Sequence, residues 1–141
     1  MIYPPDLLDR LESLEGKPWS GAVWRHMFGE YHPTRENTRG ARWNPRDVPA
    51  IYTSLERATA VAEGDYVILM QPLRPSVKRT LYEIRITLDY VVDLSYRPLL
   101  RELGITEEEL SGSDYAGCQR LGGAVEWLEH DGLLVPSARH S

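Results

Sequence analysis

The segment from Gly29 to Pro49 constrains this chain more than any other part of it, because it fits neither a helix nor a strand. It contains glycine, proline, asparagine and threonine, and its apolar residues follow no helical or alternating period. This composition predicts a long loop. Loops of that length in compact domains usually carry function, so the regular elements on either side are expected to present it.

The sequence predicts regular elements on both sides of this loop. Ala22 to Met27 predicts a short strand before it, and the apolar run Ala50 to Thr53 predicts a short buried strand after it. Leu55 to Glu63 has the spacing of an amphipathic helix. Leu81 to Leu88 alternates with the period of a half-buried strand, and Val91 to Leu94 predicts a second strand directly after it.

The remaining elements are predicted near the two ends of the chain. Leucines recur three and four residues apart after a Pro-Pro start, which predicts a helix over about residues 5–16. Val67 to Met70 fits either a helix or a strand. The C-terminal pattern predicts a helix at Glu107 to Leu110 and a longer helix at Ala116 to His130, which Gly132 ends. A last strand is predicted at Leu133 to Val135. One domain covering residues 1–141 is the size expected around a single core.

The charge distribution excludes nucleic acid as a general partner and favours a local anion site. With 16 basic and 21 acidic residues the net charge is -5, so no overall positive field attracts a phosphate backbone. Five arginines nevertheless crowd the loop and the strand before it: Arg25, Arg35, Arg39, Arg42 and Arg46. By default an arginine in a loop is a solvated charge, and this is the reading for Arg35, Arg39 and Arg46.

Cysteine usage and the N-terminus point to the cytoplasm. Cys118 is the single cysteine, so no intrachain disulfide can form, and on a helix it is expected to be buried packing. The first residues lack the basic and apolar regions of a signal peptide, and no run approaches the roughly 18 apolar residues of a membrane span. The four histidines lack metal-ligand spacing, so no metal site is expected.

Three short segments and two flanking residues carry a close resemblance to the RES domain family. The flanking residues are Arg25, on the predicted first strand, and Ser137, near the end of the chain. The segments are Gly40-Ala41-Arg42-Trp43-Asn44-Pro45, Pro49-Ala50-Ile51-Tyr52 and Ala58-Thr59-Ala60-Val61-Ala62-Glu63. The resemblance runs over about residues 23–139. It implies an α+β fold, with a mixed β-sheet core flanked by helices, that is similar to ADP-ribosyltransferases.

The resemblance also implies a function. Proteins of this family are typically toxins of toxin-antitoxin pairs that degrade NAD⁺ by cleaving its nicotinamide N-glycosidic bond, with water or phosphate as acceptor. NAD⁺ is then a substrate, no cofactor is expected, and the partner is a cognate helix-turn-helix antitoxin. A homodimer is left open. Two alternatives stay open as well: a mono-ADP-ribosyltransferase acting on a protein target, and a catalytically inactive relative that binds a nucleotide or another protein.

The chemistry of the reaction selects a carboxylate and two arginines. Cleavage of the glycosidic bond builds positive charge on the ribose, which a nearby carboxylate stabilises more in the transition state than in the ground state. Glu63 is the predicted catalytic carboxylate. A pyrophosphate needs rigid, permanently charged donors, and guanidinium groups bind phosphate oxygens in a bidentate manner. Arg25 is predicted to bind substrate, and Arg42 to bind it and to act in catalysis.

Three further residues are predicted to contact the substrate. Tyr52 is assigned to catalysis and binding, since its ring could stack on nicotinamide while its hydroxyl orients a ribose. His26 follows Arg25 where the family commonly has an aromatic residue, and its ring is expected to stack on the substrate. Ser137 is assigned to binding, because the sequence around it is not that of a nucleophilic serine.

Overall fold

Helices and strands alternate over the first two thirds of the chain, and three consecutive helices precede the last strand. A computed structural model describes residues 2–70 and 78–137. Within these residues there are five helices and three strands, at α1 (Pro5–Glu12), β1 (Lys17–Phe28), α2 (Arg57–Met70), β2 (Arg79–Asp93), α3 (Arg97–Glu102), α4 (Glu107–Ser111), α5 (Ala116–Trp127) and β3 (Gly132–Leu134). The predicted α+β class is confirmed. None of these helices has the length and apolarity that a membrane crossing requires.

Local sequence explains where the helices begin. Helix α1 begins with Pro5, whose missing N–H would have no partner in a first turn, and Asp6 places negative charge near the positive end of the helix. Helix α4 begins with a capping box: the Thr106 side chain accepts from the Glu109 N–H, and the Glu109 carboxylate accepts from the Thr106 N–H. Helix α3 was not predicted, because its six residues are too few to show a period.

The sheet is mixed and has the strand order β1-β2-β3. Strand β3 runs parallel to the end of β2, with Val91, Val92 and Asp93 opposite Gly132, Leu133 and Leu134. The prediction of two strands between Leu81 and Leu94 was wrong, because β2 is continuous through this region. The Asp131 carboxylate accepts hydrogen bonds from the N–H groups of Asp89 and Tyr90, which keeps the chain extended where a break was expected.

Two more predictions needed correction after the long loop. Ala50 to Thr53 is not a buried strand: Ala50 forms an isolated bridge with Asn37, and Ile51 is 44% exposed. The backbone pairings at Ala50 and Ser54 are isolated bridges rather than parts of a strand ladder. Helix α2 continues beyond Glu63 to Met70, which resolves the open choice for Val67 to Met70 in favour of a helix.

Contacts divide the described residues into two units, each with its own interior. The helical unit comprises residues 2–19, 37–50 and 87–136, and the strand–helix unit comprises residues 20–36, 51–70, 78–86 and 137. The helical unit holds most of the buried apolar side chains, including Leu11, Leu94, Leu100, Leu121 and Val125. The buried apolar residues of the strand–helix unit are Val23, Met27 and Ala60.

Candidate functional site

Glu63 and Ser137 are in direct contact in the strand–helix unit. Ser137 Oγ donates a hydrogen bond to Glu63 Oε1 over 2.5 Å, because an ionised carboxylate can only accept. Helix α2 carries Glu63 at its midpoint, and both side chains are half-buried. Two residues that are 74 positions apart in the sequence therefore form one charged group whose orientation is fixed.

Arg25 is a buried cation on the inward face of β1. Its exposed fraction is 9%, and it lies on the same buried face of the strand as Val23 and Met27. One guanidinium nitrogen, Nη1, donates to the carbonyl oxygen of Pro33 in the long loop. In the described part of the chain no carboxylate lies within 4.0 Å of this guanidinium. Burial lowers the pKa of Arg25, as expected when a charge has no anionic partner.

His26 lies on the opposite face of β1 and packs against α2. A Cβ atom on Gly64 would lie 2.6 Å from the Cδ2 and Cγ atoms of the His26 ring, so the ring occupies the space that a side chain at this helix position would need. His26 Nε2 accepts from Arg79 Nε over 3.1 Å, and Arg79 Nη2 donates to Asp65 Oδ1 over 2.9 Å. The rings of His26 and Phe28 meet edge to face, with centroids 4.7 Å apart.

Tyr52 belongs to the same unit as Glu63 and is half-buried. It lies two residues before Ser54, whose backbone exchanges two hydrogen bonds of 2.8 Å with Trp24 on β1. This bridge fixes the segment that carries Tyr52 beside the strand that carries Arg25. The predicted roles of Tyr52 in catalysis and binding stay predictions.

Arg42 lies in the helical unit, where its guanidinium binds the end of helix α4. Nη1 donates to the Glu109 carbonyl oxygen over 2.7 Å, and Nη2 donates to the Gly112 carbonyl oxygen over 2.9 Å. The guanidinium also stacks on the Tyr115 ring, 4.5 Å from its centroid. These carbonyl groups are at the C-terminal end of a helix, where a cation is favourable. The observed contacts of Arg42 are thus structural, and its role toward substrate stays a prediction.

The other arginines of the loop and the lone cysteine have the ordinary roles expected of them. Arg35, Arg39 and Arg46 are exposed, and Arg35 lies over the Tyr31 ring at 3.9 Å from its centroid. Cys118 is fully buried on α5, and burial raises the pKa of its thiol to about 11. Across residues 2–70 and 78–137, no three His, Cys, Asp or Glu side chains come together as a metal site.

Sequence reasoning missed the contribution of Arg79 and Asp65. A signal for this region was available, because Gly64 directly follows the predicted helix and, in the structure, lies inside α2, where glycine costs about 1 kcal/mol relative to alanine. Such a glycine usually marks a close approach of another group. The sequence could not identify His26 as that group, because the contact joins residues that are far apart in the chain.

Three comparisons with known proteins identify the family to which the chain is similar. The family model described as RES domain matches residues 11–141. The NAD(+) phosphorylase MbcT of Mycobacterium tuberculosis (strain ATCC 25618 / H37Rv) and that of Mycobacterium bovis are each 28% identical over 145 residues, covering 94% of this chain and 75% of the relative. The crystal structure of the M. tuberculosis MbcT-MbcA toxin-antitoxin complex matches with a TM-score of 0.86 and 26% identity, over 97% of this chain and 79% of that chain.

Proposed function

The chain belongs to the RES domain family, and from this premise we propose that it is an enzyme that degrades NAD⁺ by cleaving the nicotinamide N-glycosidic bond. The bond between the ribose anomeric carbon and the nicotinamide nitrogen breaks, and its electron pair leaves with nicotinamide. An oxygen of phosphate or water then bonds to the anomeric carbon. Phosphate is the preferred acceptor in this proposal, because the curated relatives are named NAD(+) phosphorylases.

The observation that carries the proposal is the contact between Glu63 and Ser137. A carboxylate held at 2.5 Å by a hydroxyl has a fixed orientation before substrate binds. Fixed charges stabilise a developing opposite charge without reorganising during the reaction. We assign Glu63 to stabilise the cationic ribose and Ser137 to orient the Glu63 carboxylate.

Arg25 supplies the complementary charge for the phosphates. A buried guanidinium without a carboxylate partner is costly to desolvate, and a bound pyrophosphate would supply the missing anion. Its Nη1 atom is already held by the Pro33 carbonyl oxygen, which fixes the guanidinium plane. We assign Arg25 to the pyrophosphate of NAD⁺. NAD⁺ is the substrate in this scheme and no further cofactor takes part.

The decisive experiment compares two glutamate variants in NAD⁺ turnover. Glu63→Gln keeps the size of the side chain and removes its charge, and we expect kcat/KM to fall by roughly 10²- to 10³-fold. The matched control is Glu83→Gln, at an exposed position of β2, which should keep the wild-type rate. Turnover is followed with and without phosphate, and the products are separated by chromatography.

The outcomes separate the proposal from its alternatives. Nicotinamide together with ADP-ribose phosphorylated at the anomeric carbon supports the phosphorylase form, and free ADP-ribose supports hydrolysis. Label from NAD⁺ that accumulates on protein would instead indicate a transferase. Unchanged turnover in Glu63→Gln, at wild-type stability, contradicts the assignment of Glu63.

We also propose that the chain forms a toxin-antitoxin pair with a helix-turn-helix antitoxin. Support comes from the solved relative, which is a toxin-antitoxin complex. The last turn of α2 offers a suitable surface, since Val67, Leu69 and Met70 are 40%, 76% and 59% exposed, and exposed apolar clusters favour protein partners. Co-purification with the product of a neighbouring gene tests the pair, and light scattering of the free protein tests for a homodimer.

A further inference from the structure

The His26 ring sets the distance between β1 and α2. Because a Cβ atom on Gly64 would come within 2.7 Å of three atoms of this ring, α2 can approach the strand this closely only with glycine at that position. Gly64 immediately follows Glu63 on the helix. Any change in the way the His26 ring packs on Gly64 therefore moves the turn of helix that carries the Glu63 carboxylate.

Arg79 joins the same two elements through hydrogen bonds. Its Nε atom donates to His26 Nε2 on β1 over 3.1 Å, and its Nη2 atom donates to Asp65 Oδ1 on α2 over 2.9 Å. The guanidinium is planar and presents these donors in a rigid fork. A single side chain from β2 thus links β1 at His26, which is next to Arg25, to α2 at Asp65, two residues after Glu63.

These contacts define the tautomer of His26. Arg79 can only donate, so Nε2 must be the unprotonated nitrogen and the proton lies on Nδ1. Nδ1 is buried and makes no hydrogen bond in the described part of the chain. The ring edge is occupied by Arg79, the side facing α2 is occupied by Gly64, and Phe28 packs against it from the same strand. Little of the ring is left for stacking on a substrate.

We infer that His26 and Arg79 are positioning residues, which seat α2 on β1 and thereby hold Glu63 in place for the ribose. This replaces the stacking role that the sequence suggested for His26. The inference rests on the proposed function, because it assigns the pair to the same reaction. In this role His26 works through its Nε2 atom, which accepts a hydrogen bond, and not through the aromatic surface of its ring.

Two substitutions of His26 separate the acceptor from the aromatic surface. His26→Gln retains an acceptor atom near the position of Nε2 but has no ring, and His26→Phe retains a ring but has no acceptor. A misplacement of the catalytic group costs roughly 10- to 100-fold in rate, so we expect His26→Phe to lose about that much kcat with little change in KM. We expect His26→Gln to retain clearly more kcat than His26→Phe.

Arg79 provides the second half of the test. Arg79→Ala should lower kcat as His26→Phe does, whereas Arg85→Ala, at an exposed position of the same strand, should leave it unchanged. Activity that is kept in His26→Phe and lost in His26→Gln would favour stacking and overturn the inference. Equal rates in the two His26 variants, or a wild-type rate in Arg79→Ala, would overturn it as well.

A measurement on the unmodified protein separates this inference from the proposed function. Nitrogen-15 NMR of the histidine side chains at neutral pH reports which ring nitrogen carries the proton. We expect the Nδ1-protonated form for His26 and its loss in Arg79→Ala. An Nε2-protonated His26 would overturn the inference even if the protein consumes NAD⁺. If no NAD⁺ is consumed, the proposed function fails, and the NMR result still decides whether Arg79 fixes His26.

Discussion

The two units of the chain differ in what they bury. In the described part of the helical unit the fully buried side chains are apolar except for Asn44, whose Nδ2 atom donates to the carbonyl oxygens of Asn37 and Val48. In the strand–helix unit the buried cation Arg25 has no carboxylate within 4.0 Å among the described residues. Each unit also buries one histidine Nδ1 atom without a hydrogen bond in the described part of the chain, at His26 and at His130. Satisfied groups stabilise a fold, and incompletely satisfied groups are available to a ligand.

The two arginines predicted to bind substrate show this difference most directly. Arg42 in the helical unit donates to two carbonyl oxygens and stacks on Tyr115. Arg25 in the strand–helix unit donates to the carbonyl oxygen of Pro33. The same residue type therefore fixes a helix end in one unit, and in the other it is buried without a carboxylate partner, as the proposed binding of the pyrophosphate requires.

The largest expected effect is the loss of a core leucine from the helical unit. Leu121 on α5 is 1% exposed, so Leu121→Ala should lower the free energy of unfolding by about 2 to 5 kcal/mol. The matched control is Leu55→Ala in the strand–helix unit, where the leucine is 55% exposed and the change should stay within about 0.5 kcal/mol. Denaturant unfolding measures both. Equal losses would contradict the contrast between the two units.

Periodicity in the sequence was enough to predict most of the fold. Leucines spaced three and four apart identified α1, and alternation from Leu81 identified β2, because burial on one face leaves a local record. The boundary errors arose where distant groups decide the backbone. Asp131 holds Asp89 and Tyr90 extended across a long sequence separation, and no local pattern contains that information.

The candidate site could be predicted in its residue types but not in its contacts. The predicted Glu63 and Ser137 do meet, and Arg25 is buried as a binding cation would be. The contacts of Arg42 with Glu109 and Gly112 depend on how α4 ends, which the sequence of the loop does not contain.

The next effect in size separates the two arginines. Arg42→Met removes two charge-assisted hydrogen bonds and should lower the free energy of unfolding by about 2 kcal/mol. Arg25→Met removes a buried cation without a carboxylate partner, so its cost should stay within about 1 kcal/mol. Thermal unfolding with and without ADP-ribose measures both quantities, since a ligand that binds the native state raises apparent stability.

The ligand response completes this comparison. ADP-ribose should stabilise Arg42→Met as it stabilises the wild type, and it should stabilise Arg25→Met less. Loss of the response in Arg42→Met alone would assign the phosphates to Arg42 and contradict the assignment made from burial. Such a result would also restore the catalytic role that the sequence predicted for Arg42.

The smallest expected effect concerns one histidine in each unit, His26 and His130. Burial lowers the pKa of both below the ordinary value of 6.5. Between that value and the folded-state pKa the unfolded chain binds more protons than the native protein, so stability is fully present above pH 6.5 and falls as the pH is lowered. The free energy of unfolding should therefore decrease on acidification through this window.

The surroundings of the two rings predict which histidine contributes more. The charge of Arg79 lowers the pKa of His26 further and Asp65 opposes it, whereas Asp131 and Glu12 both raise the pKa of His130 against the effect of burial. Denaturant unfolding between pH 7.5 and about 5 should thus show a flatter pH dependence for His26→Gln than for His130→Gln. If the free energy of unfolding depends less on pH in His130→Gln than in His26→Gln, the more strongly desolvated histidine belongs to the helical unit. The contrast between the two units would then not extend to their histidines.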